Sequence, residues 1–181
     1  MSHSEGLEQP EQVVLVADDG TPIGTADKSV IHGDDTPLHL AFSCHVLAPD
    51  GRILVTRRAL GKRTFPGIWT NAFCGHPAPG EELQDAVRRR GARELGIEIG
   101  VLDPALPDFR YRAVDASGVV ENEICPVFST VVDGDPVPAP DEVAEWAWVA
   151  PAELRAAVEA TPFAFSPWLV LQLEQWGGFG R

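Results

Sequence analysis

Of 181 residues, only three are cysteine, one is methionine and one is tyrosine. Cys44, Cys74 and Cys125 make neither an even disulfide set nor a Cys-x-x-Cys pair, which argues against a structural zinc knuckle and suits a reducing compartment. No run approaches the roughly 20 apolar residues needed to cross a bilayer, and the opening residues lack the basic and apolar regions of a signal peptide. The expected location is therefore cytoplasmic, without a membrane partner. No glycine fingerprint for a dinucleotide is present, so neither flavin nor nicotinamide is expected. Basic residues are also scarce: 14 Lys and Arg against 27 Asp and Glu leave a net charge of −13. That balance argues against nucleic acid as the partner, because binding phosphates without regard to sequence needs surplus cations.

What is there suffices for one domain with a real core: 44% of the residues are hydrophobic and five are tryptophan. The expected division is a flexible tail over residues 1–12, a single compact domain over 13–176 and a short tail over 177–181. Strands are predicted at 13–17 and 23–26 around Asp19-Gly20, at 38–47 and 53–56 as a second hairpin, and at 69–73, 109–114, 119–132 and 145–149. Helices are predicted at 82–95, 151–160 and 167–176, the first with apolar Leu83, Ala86, Val87 and Leu95 on one stripe and Gly96 as its stop. Mixed strands with interspersed helices imply an α/β sandwich, a mixed sheet between helical layers.

Despite the overall charge, nine basic residues and only three acidic ones lie between Arg52 and Arg93, a local +6. A cluster of that kind inside an acidic protein points to a small phosphate-bearing ligand, against the plainer alternative of a solvated helix face. Metal ligands are a second possibility. His32 and His39 flank Gly-Asp-Asp-Thr-Pro-Leu, His76 follows Cys74-Gly75, and Glu121 and Glu123 alternate on one predicted strand, where residues two apart share a face. Three imidazoles and two carboxylates suit one divalent ion, Mn²⁺, Mg²⁺ or Zn²⁺. His3 and His45 are set aside, and Cys44 and Cys125 read as core. Cys74 reads either as a small buried hydrophobe or as a thiol at a cavity wall near a cation.

Residues 75–97 resemble the Nudix box, G-x5-E-x7-R-E-U-x-E-E-x-G-U with U apolar. Gly75, Glu81, Arg89, Glu94, Gly96 and Ile97 match; Arg90 and Arg93 stand where the box has metal-binding glutamates, and Gly91 takes an apolar position. Replacing carboxylates with cations should repel the magnesium cluster of a diphosphate hydrolase, so the implied outcome is the Nudix-like fold without hydrolysis. Segments along nearly all the chain, in order, resemble the type I isopentenyl-diphosphate Δ-isomerase family. They include Leu38-His39-Leu40-Ala41-Phe42-Ser43, Gly67-Ile68-Trp69-Thr70-Asn71, Cys74-Gly75-His76-Pro77, Glu121-Asn122-Glu123 and Phe165-Ser166-Pro167-Trp168.

The resemblance implies metal-assisted interconversion of isopentenyl and dimethylallyl diphosphate through a carbocation, in isoprenoid biosynthesis. It assigns the two proton transfers to Cys74 and Glu123, with either as acid or base. Tyr111 would hydrogen-bond Glu123, and Trp168 would lay its indole against the cation. Lys28, Arg58, Lys62 and Arg90 would hold the diphosphate, with Mg²⁺ shared between the ligand and Glu94. Arg57, Arg63, Arg89 and Arg110 read as solvated or structurally paired. A Nudix hydrolase of nucleoside diphosphate derivatives and a silent binding protein are the alternatives. The sequence names no protein partner.

Overall fold

The computed structural model describes residues 11–177, so most of both expected tails lies outside the described residues. Strands β1 (Gln12–Val16) and β2 (Pro22–Asp27) form the predicted opening hairpin, and β1 begins one residue before the expected start. The chain continues through α1 (Lys28–Ile31), β3 (His39–Leu40), β4 (Phe42–Leu47), β5 (Ile53–Arg58), β6 (Trp69–Thr70), β7 (Phe73–Gly75) and α2 (Leu83–Leu95). It then forms β8 (Asp103–Leu106), β9 (Arg110–Val114), β10 (Val120–Ile124), β11 (Val127–Val131), β12 (Val143–Val149), α3 (Pro151–Ala160) and α4 (Pro167–Gln175). The four-residue α1, capped by the Asp27 carboxylate on Ser29 N, and the short edge strand β8 carry too little pattern to be predicted.

The mixed sheet is present as two sheets, ordered β2-β1-β3-β10-β9 and β12-β5-β4-β11-β8. Two predicted strands each break in the middle, 38–47 against expectation and 119–132 at the interruption that Pro126 implies. The segment 38–47 steps from the first sheet to the second at Ala41, and 119–132 does the same at Cys125-Pro126. The breaks lie side by side, because β3 pairs parallel with β10 and β4 with β11. Across the step, Ala41 N donates to Ile124 O and Ser43 N to Pro126 O. Proline has no N–H to give the ladder, so Pro126 is suited to the interruption.

The second predicted hairpin also opens out. β4 and β5 are in register only at Leu47 and Ile53. Beyond that point β7 pairs with β4 and β6 with β5, and the intervening Asn71-Ala72 accepts from Thr56 Oγ1 through both carbonyls. The single strand expected at 69–73 is thus two strands filling the splay, and the insertion sets Cys74 opposite Ser43.

Period two along β5 gives each face its helix layer. Leu54 packs with Phe42, Phe73, Val87 and Leu95 beneath α2, while Ile53 and Val55 pack with Leu154, Val158, Leu169 and Leu173 beneath α3 and α4. The result is the expected α/β/α sandwich. α2 stops at Gly96, whose φ of 62° is left-handed and whose N–H bonds Ala92 O. Gly91, in the middle of α2, is needed for packing: a Cβ there would stand 2.5 Å from Ile99 Cδ1.

Candidate active site

Glu121 and Glu123 point to one face of β10, as alternation requires, and both are buried. Buried carboxylates persist only with partners. Glu123 Oε1 lies 3.1 Å from His76 Nε2 and 3.4 Å from His39 Nε2; Glu121 Oε2 lies 3.1 Å from His32 Nε2. His32 and His39 meet because the loop between them is closed on itself. Gly33 N donates to Thr36 Oγ1, and Val120 N ties Gly33 O to β10. His39 is fixed in turn by Nδ1 against Pro37 O at 2.9 Å.

The donor set fits a divalent ion. Ligand atoms of His32, His39, His76 and Glu123 all lie within 4.8 Å of one another. His32 Nε2, His39 Nε2 and Glu121 Oε2 are buried without a hydrogen-bond partner, so the short His32–Glu121 approach lacks hydrogen-bond alignment. Polar atoms buried in this way need something else to satisfy them, and a cation would do so. Glu121 stands beside the four-residue group, touching it through His32. Burial opposes ionisation of Glu123, but the adjoining His39 and His76 imidazoles hold its carboxyl well below the usual range.

Tyr111 is the register partner of Glu123 across β9 and β10, and its hydroxyl donates to Glu123 Oε2 at 2.8 Å. Burial pushes the phenol well above its ordinary range, which keeps it a donor. Cys74 lines the same cavity of 440 Å³ as Glu123, Tyr111 and Trp168, a volume suited to a small ligand. Its sulfur lies 3.0 Å from Ser43 Oγ and 3.4 Å from Asn71 Oδ1. Burial pushes the thiol up to about 12, so it is protonated at neutral pH.

Asn71 was not singled out from the sequence, yet it organises this wall. Its amide nitrogen donates to Cys44 O and Phe73 O, which turns Oδ1 toward Cys74 and the Trp168 indole N–H at 3.0 Å. Trp168, at the start of α4, is wedged by the edge of Phe65, and Arg58 stands over its ring at 5.5 Å. Phe65 has a φ of 46°, the one positive value for a non-glycine among the described residues. Arg58 donating to Phe65 O and Asp115 accepting from Phe65 N hold it there.

Lys28, Arg58, Lys62 and Arg90 line the cavity, but three of them are already paired. Lys28 meets Glu11 at 2.5 Å, Lys62 meets Glu142, and Arg90 meets Glu94, Glu142 and Glu11. Gly75 admits the Arg90 stem, since a Cβ there would lie 2.9 Å from Arg90 Cγ. Glu11 and Glu142 escaped sequence reasoning, because no spacing links them to cations 79 and 52 residues away. Burial draws Lys62 down to about 8. Outside the site, Arg57, Arg89 and Arg110 pair with Glu145, Glu81 and Asp18; Arg63 lines the cavity and donates to His32 O and Ser29 O.

The NUDIX domain model matches residues 37–169. The isopentenyl-diphosphate Delta-isomerase of Kocuria rhizophila is 62% identical over 92% of this chain and 92% of its own length. That of Agromyces mediolanus is 63% identical over 91% of this chain and 80% of its own. The chain belongs to the isopentenyl-diphosphate Delta-isomerase family. Within that family, that of Corynebacterium glutamicum is 56% identical over 90% of this chain and 89% of its own length. Among solved structures, a Deinococcus radiodurans protein aligns with a TM-score of 0.74 over 92% of this chain and 99% of its own, at 19% identity. A NUDIX hydrolase from Burkholderia pseudomallei gives 0.58 over 76% and 97%, at 25% identity. The structural likeness carries the fold; the close relatives carry the family.

Proposed function

We propose that the chain interconverts isopentenyl diphosphate and dimethylallyl diphosphate by moving the double bond one position. The observation that carries this reading is the pairing within one cavity of a protonated thiol, Cys74, and an ionised carboxylate, Glu123. The terminal alkene carbon gains a proton and becomes a methyl group, while the carbon on the other side of the branch point loses one. An acid and a base must therefore face one substrate with water excluded. Cys74 and Glu123 exchange these roles with the direction of reaction. Tyr111 orients the Glu123 carboxyl, and the Trp168 face stabilises positive charge developing at the branched carbon.

Lys28, Arg58, Lys62 and Arg90 would hold the diphosphate, and Glu94 is the carboxylate beside them that would help hold Mg²⁺. His32, His39, His76, Glu121 and Glu123 would hold a second divalent ion. Bound there, it supplies positive charge that keeps Glu123 ionised and its geometry fixed. Arg90, held by Glu94 inside the degenerate box, opposes the hydrolase reading, since a cation stands where the hydrolytic pattern has a metal-binding glutamate. The reaction takes place in the cytoplasm on a free diphosphate, without flavin, nicotinamide, nucleic acid or membrane. Among the described residues, no helix is long and apolar enough to cross a membrane, and all three cysteines are free.

The test is conversion of isopentenyl diphosphate by the purified chain with Mg²⁺ and Mn²⁺, following the acid-labile allylic product. Loss of product in both Cys74→Ala and Glu123→Gln supports the pair; product from either variant at the native rate removes that residue from the chemistry.

A further inference from the structure

Behind the cavity wall, away from substrate, a line of buried polar groups runs inward from the Cys74 sulfur. Ser43 Oγ lies 3.0 Å from Sγ, Gln172 Nε2 lies 3.0 Å from Ser43 Oγ, and Gln172 Oε1 lies 2.8 Å from His45 Nε2. Ser43, His45 and Gln172 are each 0% exposed. Nothing in the acid/base pair or the metal cluster uses them. Three polar side chains in a dry interior, brought together from β4 and α4, need a reason, because apolar residues of the same size would fill the space without demanding partners.

We infer that Ser43 is a further catalytic residue, donating its hydroxyl proton to the Cys74 sulfur, and that Gln172 and His45 are positioning residues fixing the direction of that bond. The direction follows from the partners. A serine hydroxyl has one proton to give and two lone pairs. One lone pair of Ser43 takes the Gln172 amide at 3.0 Å, and the Cys74 thiol spends its own proton on Asn71 Oδ1 at 3.4 Å, which leaves the sulfur an acceptor toward Ser43. The hydroxyl proton then goes to sulfur. Gln172 presents its NH₂ to Ser43 when its carbonyl faces His45 at 2.8 Å, an arrangement that requires the Nε2-protonated tautomer of the ring. Burial draws His45 down to about 4, so the ring is neutral and has a single proton to place.

The consequence bears on the reaction proposed above, on which this inference rests. When the thiol has given its proton to the alkene, the sulfur is left with negative charge in a buried site. A hydroxyl already pointing at it stabilises that charge without reorganising. Asn71 Oδ1, an acceptor, can only serve the protonated thiol. Ser43 and Asn71 therefore attend opposite halves of the cycle. A hydrogen bond to a charged group is worth about 1.5–3 kcal/mol, which corresponds to roughly 10- to 150-fold in rate.

Three measurements test this. Nitrogen-15 NMR of the native chain should show His45 as the Nε2-protonated tautomer; the Nδ1-protonated form would reverse the direction of the line and overturn the inference. Ser43→Ala should lower kcat at least tenfold with KM for isopentenyl diphosphate unchanged, and Ser43→Thr, which keeps the hydroxyl, should recover most of it. Equal rates for Ser43→Ala and the native chain, or loss in Ser43→Thr as deep as in Ser43→Ala despite native-like melting of both, would also overturn it. The infrared S–H stretch of Cys74, assigned by difference from Cys74→Ala, should shift in Gln172→Met, which keeps the bulk of the side chain but cannot hold Ser43. An unmoved band would show that Gln172 does not act on the sulfur. Cys74→Ala carries the underlying reading separately: if it turns over normally, the proposed function of Cys74 fails, whereas an inactive Cys74→Ala beside a normal Ser43→Ala sinks only the role given to Ser43.

Discussion

Tyr111 and Glu123 are register partners on adjacent antiparallel strands, and the phenol donates to the carboxylate at 2.8 Å. Sheet pairing itself sets this contact, because directly opposed residues share a face and stand within reach of one another. Tyr111→Phe removes the hydroxyl and leaves the ring stacked near Phe109 and Trp168. The loss of one hydrogen bond to a charged group, about 1.5–3 kcal/mol, should lower kcat by roughly 10- to 150-fold. Steady-state kinetics should show KM nearly unchanged; a variant with native kcat would mean that the phenol only packs.

The three-His cluster should make stability depend on divalent ions. At an ion concentration about 100 times its dissociation constant, binding adds ~2.7 kcal/mol. For a chain of this size that raises the melting temperature by roughly 5–10 °C. Chelated protein titrated with Mn²⁺ and followed by thermal melting should show the rise, and His39→Ala should abolish it. The same rise in His39→Ala would place the ion elsewhere.

The carboxylates beside the cations should oppose anion binding when no metal is present. Glu142 takes up both Lys62 and Arg90. Glu142→Gln should therefore tighten the binding of inorganic pyrophosphate measured by calorimetry in chelator, by about tenfold if one charge–charge contact near 1.4 kcal/mol is relieved. Weaker binding would show instead that Glu142 holds the two cations in place for the ligand.

His45 should make stability fall in acid. Burial draws its folded-state value to about 4 despite the Gln172 hydrogen bond, below the usual 6.5, so the unfolded chain takes up the proton first. The contribution is complete above pH 6.5 and declines as pH falls toward 4, to a total of about 3 kcal/mol. Denaturant unfolding from pH 7 to pH 4 should show a smaller loss for His45→Phe than for the native chain. Equal losses would mean that His45 does not carry the effect.

The sequence revealed those parts of the site whose signals are local. Glu121 and Glu123 alternate within one strand, His32 and His39 bound one short loop, and α2 has a regular apolar stripe with a glycine stop. Pro126 marks an interruption in its strand, but the step between sheets was not legible, because residues on both sides of Ala41 favour strand equally and only the pairing of two distant segments decides where it breaks. Nor was the charge balance of the anion site legible. Counting residues 52–93 gave a surplus of cations, whereas folding brings Glu11 and Glu142 to Lys28, Lys62 and Arg90 from outside that window. Nothing in the sequence distinguishes mid-strand His45, because its tie to Gln172 spans 127 residues.

The central claim is that Cys74 and Glu123 move protons on an alkene without breaking the diphosphate. Isopentenyl diphosphate incubated with the chain and divalent metal in deuterated water, observed by proton and phosphorus NMR, tests it most directly. The account predicts dimethylallyl diphosphate carrying deuterium in a methyl group, deuterium washed into recovered substrate, and an unchanged diphosphate signal. Release of phosphate, or recovery of undeuterated substrate alone from a folded and metal-loaded chain, would contradict it.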